Sequence, residues 1–268
     1  MKIAAVQMVS SPEWAANRES AARLIGQAAA AGAQLVALPE YFCVMGRRDG
    51  DKLALAEAPG AGAIQQFLSE MAREHGLWLV GGTLPVKTEL AGQVLNRSIV
   101  FAPDGKVAAH YDKVHLFAFN NGRESYDEAR TLRAGDQLVA LQTGPLRVGL
   151  SICYDLRFPE LYRALMNPPC DVLVVPAAFT HTTGQAHWEL LLRARAVENQ
   201  CYVLAAAQGG THLNGRRTWG HSMVIDPWGE VLDEQDEGEG FVMADVQRER
   251  IEQVRTQLPA LAHRRLPG

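Results

Sequence analysis

Leu146-Arg147-Val148-Gly149-Leu150-Ser151-Ile152 is an apolar run that reads as a buried strand, and Cys153-Tyr154-Asp155-Leu156-Arg157-Phe158 leads from it to Pro159-Glu160, where a helix opens. A strand that turns directly into a helix exposes the side chains of the turn and aims backbone N–H groups at an anion placed there. Cys153 stands in this turn. On context alone it is either a nucleophile whose oxyanion the turn could hold or a packed small hydrophobe, a common fate of a free cysteine.

The same alternation continues outward. Strands are expected over Lys2 to Met8, Gln34 to Leu38, Leu77 to Val80, Val172 to Val175, Tyr202 to Ala207 and Phe241 to Asp245. Helices are expected over Asn17 to Ala31, Ile64 to His75, Glu160 to Met166, Gln185 to Asn199 and Arg248 to Thr256. Gly32 and Gly76 stand where helices stop. Hairpins are signalled at Pro103-Asp104-Gly105, Gly144-Pro145 and Asp226-Pro227-Trp228. This order is α/β with several hairpins, which argues for a mixed sheet or two sheets instead of a purely doubly wound one. His115 to Gly135 shows little periodicity and reads as a long functional or mobile loop, and the tail from Pro259 to Gly268 as extended or loose.

Composition bounds the function. The 268 residues are 47% hydrophobic and 21% charged, as expected for one well-cored domain spanning residues 1–268. A net charge of -4 gives no general attraction to nucleic acid or an anionic membrane. The apolar stretch Ile3 to Val9 is too short for a signal-peptide core, so a cytoplasmic location is expected. Cys43, Cys153, Cys170 and Cys201 show neither a disulfide framework nor metal spacing. His181, His187, His212 and His221 share one third of the chain without a zinc motif, so no metal is expected.

Cys170 and Cys201 border strands and read as core, while Cys43 follows a strand and could line a pocket. A nucleophilic thiol needs a base. No histidine is singled out for that task. Glu40 follows the strand-ending Leu38-Pro39, and Lys113 ends a hairpin strand. Such strand ends are where α/β sites collect, although most glutamates and lysines are surface charges.

Three segments resolve this ambiguity. Leu38-Pro39-Glu40, Tyr111-Asp112-Lys113-Val114-His115-Leu116-Phe117 and Cys153-Tyr154-Asp155-Leu156-Arg157-Phe158-Pro159-Glu160 resemble, in order and spacing, the signature segments of the nitrilase, or carbon–nitrogen hydrolase, superfamily. Glu128-Ala129-Arg130-Thr131 resembles the family's segment for a second glutamate, with Glu124-Ser125 as a competing alignment. The family usually has Ser where this chain has Ala129, and often Asp where it has Ala118. Thr182 to Glu189 and Leu191 to Tyr202 look like the branch holding two amidases, one acting on 2-oxoglutaramate and one on deaminated glutathione. Cys201 to Gln208, His212, Gly220-His221-Ser222 and Asp226-Pro227-Trp228-Gly229 look closer to the second, as does the ending Leu258-Pro259 with His263-Arg264-Arg265.

The resemblance implies a four-layer αββα sandwich, normally assembled into homodimers or larger forms. It implies hydrolysis of a small-molecule amide with water and no cofactor, by way of a thioester on Cys153. Glu40 would act as base and then acid. Lys113 and the Tyr154 backbone N–H would hold the oxyanion, and Glu128 would orient Lys113 or the substrate. Arg157 is a candidate partner for a substrate carboxylate, or a brace pairing with Asp155 or Glu160. Thr183 is a second candidate, or a cap on the following helix, and Phe179 either lines the pocket or belongs to the core. Another small-amide or carbamoyl hydrolase, a weakly catalytic scaffold and a histidine-dependent protease are the competing readings.

Overall fold

The computed structural model describes residues 1–122 and 124–266. In chain order its strands begin with β1 (Lys2–Gln7), β2 (Leu35–Ala37), β3 (Trp78–Val80), β4 (Leu84–Lys87), β5 (Val94–Phe101), β6 (Val107–Asp112), β7 (Ala118–Asn120), β8 (Ser125–Asp127) and β9 (Leu132–Arg133). They continue with β10 (Ala140–Thr143), β11 (Leu146–Leu150), β12 (Val172–Ala177), β13 (Tyr202–Ala207), β14 (Gly209–Thr211), β15 (Arg217–Trp219), β16 (Ser222–Ile225), β17 (Val231–Gln235) and β18 (Gly240–Asp245). The helices are α1 (Trp14–Ala30), α2 (Asp51–Ala54), α3 (Ala63–His75), α4 (Pro159–Leu165), α5 (His181–Asn199) and α6 (Arg248–Gln257).

One sheet runs β18-β1-β2-β3-β5-β4, with β6 and β9 also on β5, and the other runs β10-β11-β12-β13-β16-β17. Each has a parallel centre, β1-β2-β3 and β11-β12-β13, and antiparallel flanks.

The period-2 alternation of β1 builds the layers. Ile3 and Ala5 pack in the core shared with Val172, Val174, Val203 and Ala205 of the second sheet, while Ala4 and Val6 pack with Leu24 and Ile25 of α1 and Leu68 of α3. On the far side, Trp188, Leu192 and Ala196 of α5 join the core of the second sheet. Helix, sheet, sheet and helix are therefore stacked in the αββα order. Such double burial explains why β12 and β13 are continuous apolar runs.

Local chemistry sets the boundaries. Gly76 closes α3 in the left-handed conformation at φ 60°. Thr180 caps α5 by accepting the Thr183 N–H at 3.3 Å, so the helix begins at His181, four residues before the expected start. Thr183 is therefore in its first turn instead of serving as its cap. The expected loop from His115 to Gly135 is more ordered than its sequence suggests. It contains the β7–β8 hairpin, a 3-10 turn over Glu128–Arg130 and β9, which pairs with β5. These elements are too short for a periodic signal. The described part of the chain end, to residue 266, follows α6 without regular structure, and the last two residues of the expected tail lie outside the described residues.

Candidate active site

Strand ends bring the three signature segments together. Beyond β2, Leu38 is still held by its N–H to the Val80 carbonyl, 2.9 Å away, before the chain turns at Pro39-Glu40. The turn passes so close to Gly82 that a Cβ there would lie 2.2 Å from the Pro39 oxygen, and Gly82 also has φ +54°. Glu40 is buried at 1% exposure. Its Oε1 accepts from Asn96 Nδ2 at 2.9 Å and Lys113 Nζ at 2.8 Å, and its Oε2 accepts from the Ala178 N–H at 3.0 Å.

Lys113 follows β6 and is tied by its backbone N–H to Asn96 O and by its carbonyl to the Gly135 N–H. Its ammonium sits between two carboxylates, 2.8 Å from Glu40 and 2.8 Å from Glu128. Glu128 also accepts from the Tyr41 hydroxyl at 2.8 Å and the Phe117 N–H at 2.7 Å. Of the two glutamates in this segment, it is the one in contact with Lys113, and Glu124 accepts from Thr182 Oγ1 instead.

Cys153 begins a 3-10 turn over Cys153–Arg157 at φ +48°, a backbone region that non-glycine residues enter with strain. Asp155 fixes that turn. Fully buried, it accepts from the Ile152 N–H at 2.8 Å, the Tyr111 hydroxyl at 2.7 Å and the His115 N–H at 3.0 Å. His115 Nδ1 lies 2.7 Å from the same carboxylate, and its ring stacks on Phe158. The Tyr154 N–H is one of the first donors of the turn, which internal helix bonding leaves free.

Electrostatics separates the carboxylates. Burial, with the Glu128 charge added, holds Glu40 above the ordinary carboxylate value despite the Lys113 ammonium. Burial acts the same way on Glu128, but there Lys113, the Phe117 N–H and the Tyr41 hydroxyl outweigh it and hold it below. Lys113 is desolvated too, and the two glutamate charges more than compensate, so it stays protonated. Burial and the Glu40 charge push the Cys153 thiol well up, although Lys113 acts in the opposite sense. Lysine alone therefore does not make a resting thiolate. Of the charged groups acting on the Cys153 thiol, the Glu40 carboxylate acts most strongly, which makes it the candidate acceptor for the thiol proton.

Arg157, Phe179 and Thr183 line a chamber of about 210 Å³ with Cys153, Tyr154 and Phe117. The Arg157 guanidinium lies 5.3 Å over the Phe179 ring and 3.2 Å from His187 Nδ1. Asp155 is spent on the turn, so it is not the partner of Arg157. The four clustered histidines do not converge on this chamber. His212 is buried between Ser10 O and Thr218 Oγ1, while His221 Nδ1 lies 2.6 Å from Glu234.

Sequence reasoning passed over Asn96, Tyr41 and His115. Tyr41 and His115 are neighbours of predicted residues, and Asn96 was visible as an amide inside an apolar strand, buried at 1% exposure.

Residues 2–256 match the carbon-nitrogen hydrolase family. The chain belongs to that family, in the nitrilase superfamily, and is a hydrolytic enzyme of the amidase type. Deaminated glutathione amidase of Synechocystis sp. (strain PCC 6803 / GT-S) is 45% identical to it over 266 residues, 97% of each chain. Omega-amidase NIT2 of Homo sapiens is 40% identical over 266 residues, covering 98% of this chain and 95% of that one. The crystal structure of Saccharomyces cerevisiae Nit3, a member of branch 10 of the nitrilase superfamily, matches with a TM-score of 0.89 at 34% identity, over 99% of this chain and 97% of that one.

Proposed function

We propose that the chain hydrolyses linear amides of small 2-oxo acids through a thioester on Cys153, with deaminated glutathione as the preferred substrate. The observation that carries the reading is the Lys113 ammonium held at 2.8 Å from both Glu40 and Glu128, beside a cysteine on a strained strand-to-helix turn. The substrate class is supported by the relatives named above and by the Arg157 guanidinium in the chamber. 2-Oxoglutaramate is the second candidate, supported by the human relative.

The thiol gives its proton to Glu40 as sulfur attacks the amide carbonyl, forming the S–C bond. Lys113 and the Tyr154 N–H face the oxyanion, and one preorganised donor of this kind contributes about 3 kcal/mol. Glu40 returns the proton to nitrogen as the C–N bond breaks and the amine leaves. Water, deprotonated by Glu40, then cleaves the thioester to the free acid and the thiol. The low pKa of Glu128 keeps it ionised, so that Lys113 remains charged and fixed throughout. Arg157 pairs with a substrate carboxylate, Thr183 supplies a hydroxyl, and Phe179 forms the apolar wall.

The catalytic unit we assign is the whole chain, residues 1–268, acting without cofactor or metal, away from membrane and nucleic acid. Four unpaired cysteines suit the reducing cytoplasm. Among the described residues, no helix is long and apolar enough to cross a membrane. A homodimer or higher homo-oligomer is supported by Leu190 and Val197, exposed one heptad apart on α5. The test is hydrolysis of deaminated glutathione by wild type and by Cys153→Ala. Turnover by wild type and its loss in the folded variant are expected, and full activity in the variant would refute the mechanism.

A further inference from the structure

A second cleft, of about 510 Å³, shares Phe117 with the Cys153 chamber, and Glu128 and Tyr41 form part of its wall. Three cations line it, Arg48, Lys52 and Arg216, none of them in an ion pair among the described residues; Arg48 is exposed and the other two are not. Lys52, on the one-turn helix α2, is only 8% exposed, and the feature facing its ammonium is the Tyr41 ring, 5.6 Å away. Arg216, on the turn between β14 and β15, lies 4.8 Å over the Tyr126 ring and donates to Met45 Sδ, while its buried Nε has no partner. The nearby acids do not neutralise this pair. Glu128 is engaged by Lys113, Asp127 pairs with Arg130, and Asp49 is exposed.

Burial pushes the Lys52 pKa down, and the Asp49 and Glu128 charges oppose that only in part, so the ammonium is buried with its charge incompletely balanced. An incoming carboxylate would complete that balance and satisfy the orphaned guanidinium N–H. The two chambers also divide the substrate. The acyl half must lie over Cys153, in the narrower space beside Arg157. The wider cleft, which shares Phe117 with that space and is walled by Glu128, is the adjoining room for the amine half.

We infer that Lys52 and Arg216 form a carboxylate subsite for the leaving amine, so that the enzyme favours amides whose amine half is an amino acid or peptide over primary amides. This rests on the proposed 2-oxo acid amidase activity and adds to it the residues that choose between its two candidate substrates. Deaminated glutathione, whose leaving group is cysteinylglycine, presents a carboxylate on each side of the scissile bond. 2-Oxoglutaramate, which releases ammonia, presents none to this cleft.

The experiment compares kcat/KM for these two compounds in wild type, Lys52→Met, Lys52→Arg and Arg216→Gln. Charge-assisted contacts of this kind predict a fall of about ten- to a hundredfold in the ratio of deaminated glutathione to 2-oxoglutaramate for Lys52→Met and Arg216→Gln, carried mainly by KM. Lys52→Arg should recover most of that ratio. An unchanged ratio, or an equal loss on both substrates, overturns the subsite while wild-type turnover leaves the amidase reading intact. Failure of wild type to hydrolyse either compound overturns that reading, and the subsite with it.

Discussion

The Lys113 ammonium lies 2.8 Å from a Glu40 oxygen, and neither side chain has more than 1% of its surface exposed. Such a pair is stable only while both members remain. Lys113→Ala would leave two buried carboxylates facing each other. We expect a loss of about 3–5 kcal/mol in urea unfolding, together with activity below detection. Glu40→Gln keeps the shape and removes only the base. It should remain folded, because Glu128 still pairs with Lys113, with a smaller stability loss than Lys113→Ala, and lose about 10²–10⁴ in kcat. Retained kcat in Glu40→Gln would remove Glu40 from the proton path.

The pH profile follows from the Glu40 environment. Its carboxyl is held above the ordinary value of 4.5 by burial, and it must be ionised to take the thiol proton. Activity is therefore present above the raised pKa and lost as pH falls through it. The acidic limb of kcat/KM should lie above 4.5. Because the Cys153 thiol is pushed well above its ordinary 9.0, no alkaline limb should appear near that value. An acidic limb at or below 4.5 would contradict the assignment of Glu40 as base.

Asp155 carries the turn that presents Cys153. Asp155→Ala would strand the Tyr111 hydroxyl and the His115 and Ile152 N–H groups in the interior. The expected loss is about 3–5 kcal/mol, with kcat falling because the turn no longer holds its geometry. Measured by urea unfolding, a change below about 1 kcal/mol would show that the network is dispensable.

Much of this arrangement was legible in the sequence, and the missing parts share a cause. Glu40 and Cys153 each follow an apolar strand and Lys113 ends a hairpin strand, so local pattern and family resemblance together found them. The apolar run of Lys2 to Met8 likewise read as a buried strand, and β1 is packed on both faces. The β7–β8 hairpin escaped because three-residue strands carry no period. Asn96, Lys52 and Arg216 escaped because their importance lies in what faces them across the fold, and no spacing along the chain records that. The pairing of Arg157 with His187, 30 residues away, was hidden for the same reason.

The four thiols should differ sharply. Cys43 and Cys201 are fully buried with thiols pushed far up by desolvation, and Cys170 is pushed up to about 11. Treatment of folded protein with iodoacetamide at neutral pH should modify Cys153 alone, slowly, and should leave Cys153→Ser unmodified, as read by intact mass. Rapid labelling of Cys43 or Cys201 would contradict the packing described.

The central claim is that amide cleavage passes through a thioester on Cys153, and rapid-quench intact mass spectrometry during turnover of deaminated glutathione tests it most directly. The expected result is protein heavier by one 2-oxoacyl group, mapped to Cys153, appearing before steady state and absent in Cys153→Ala. Turnover without any acylated protein, or an adduct mapped to another residue, would contradict it.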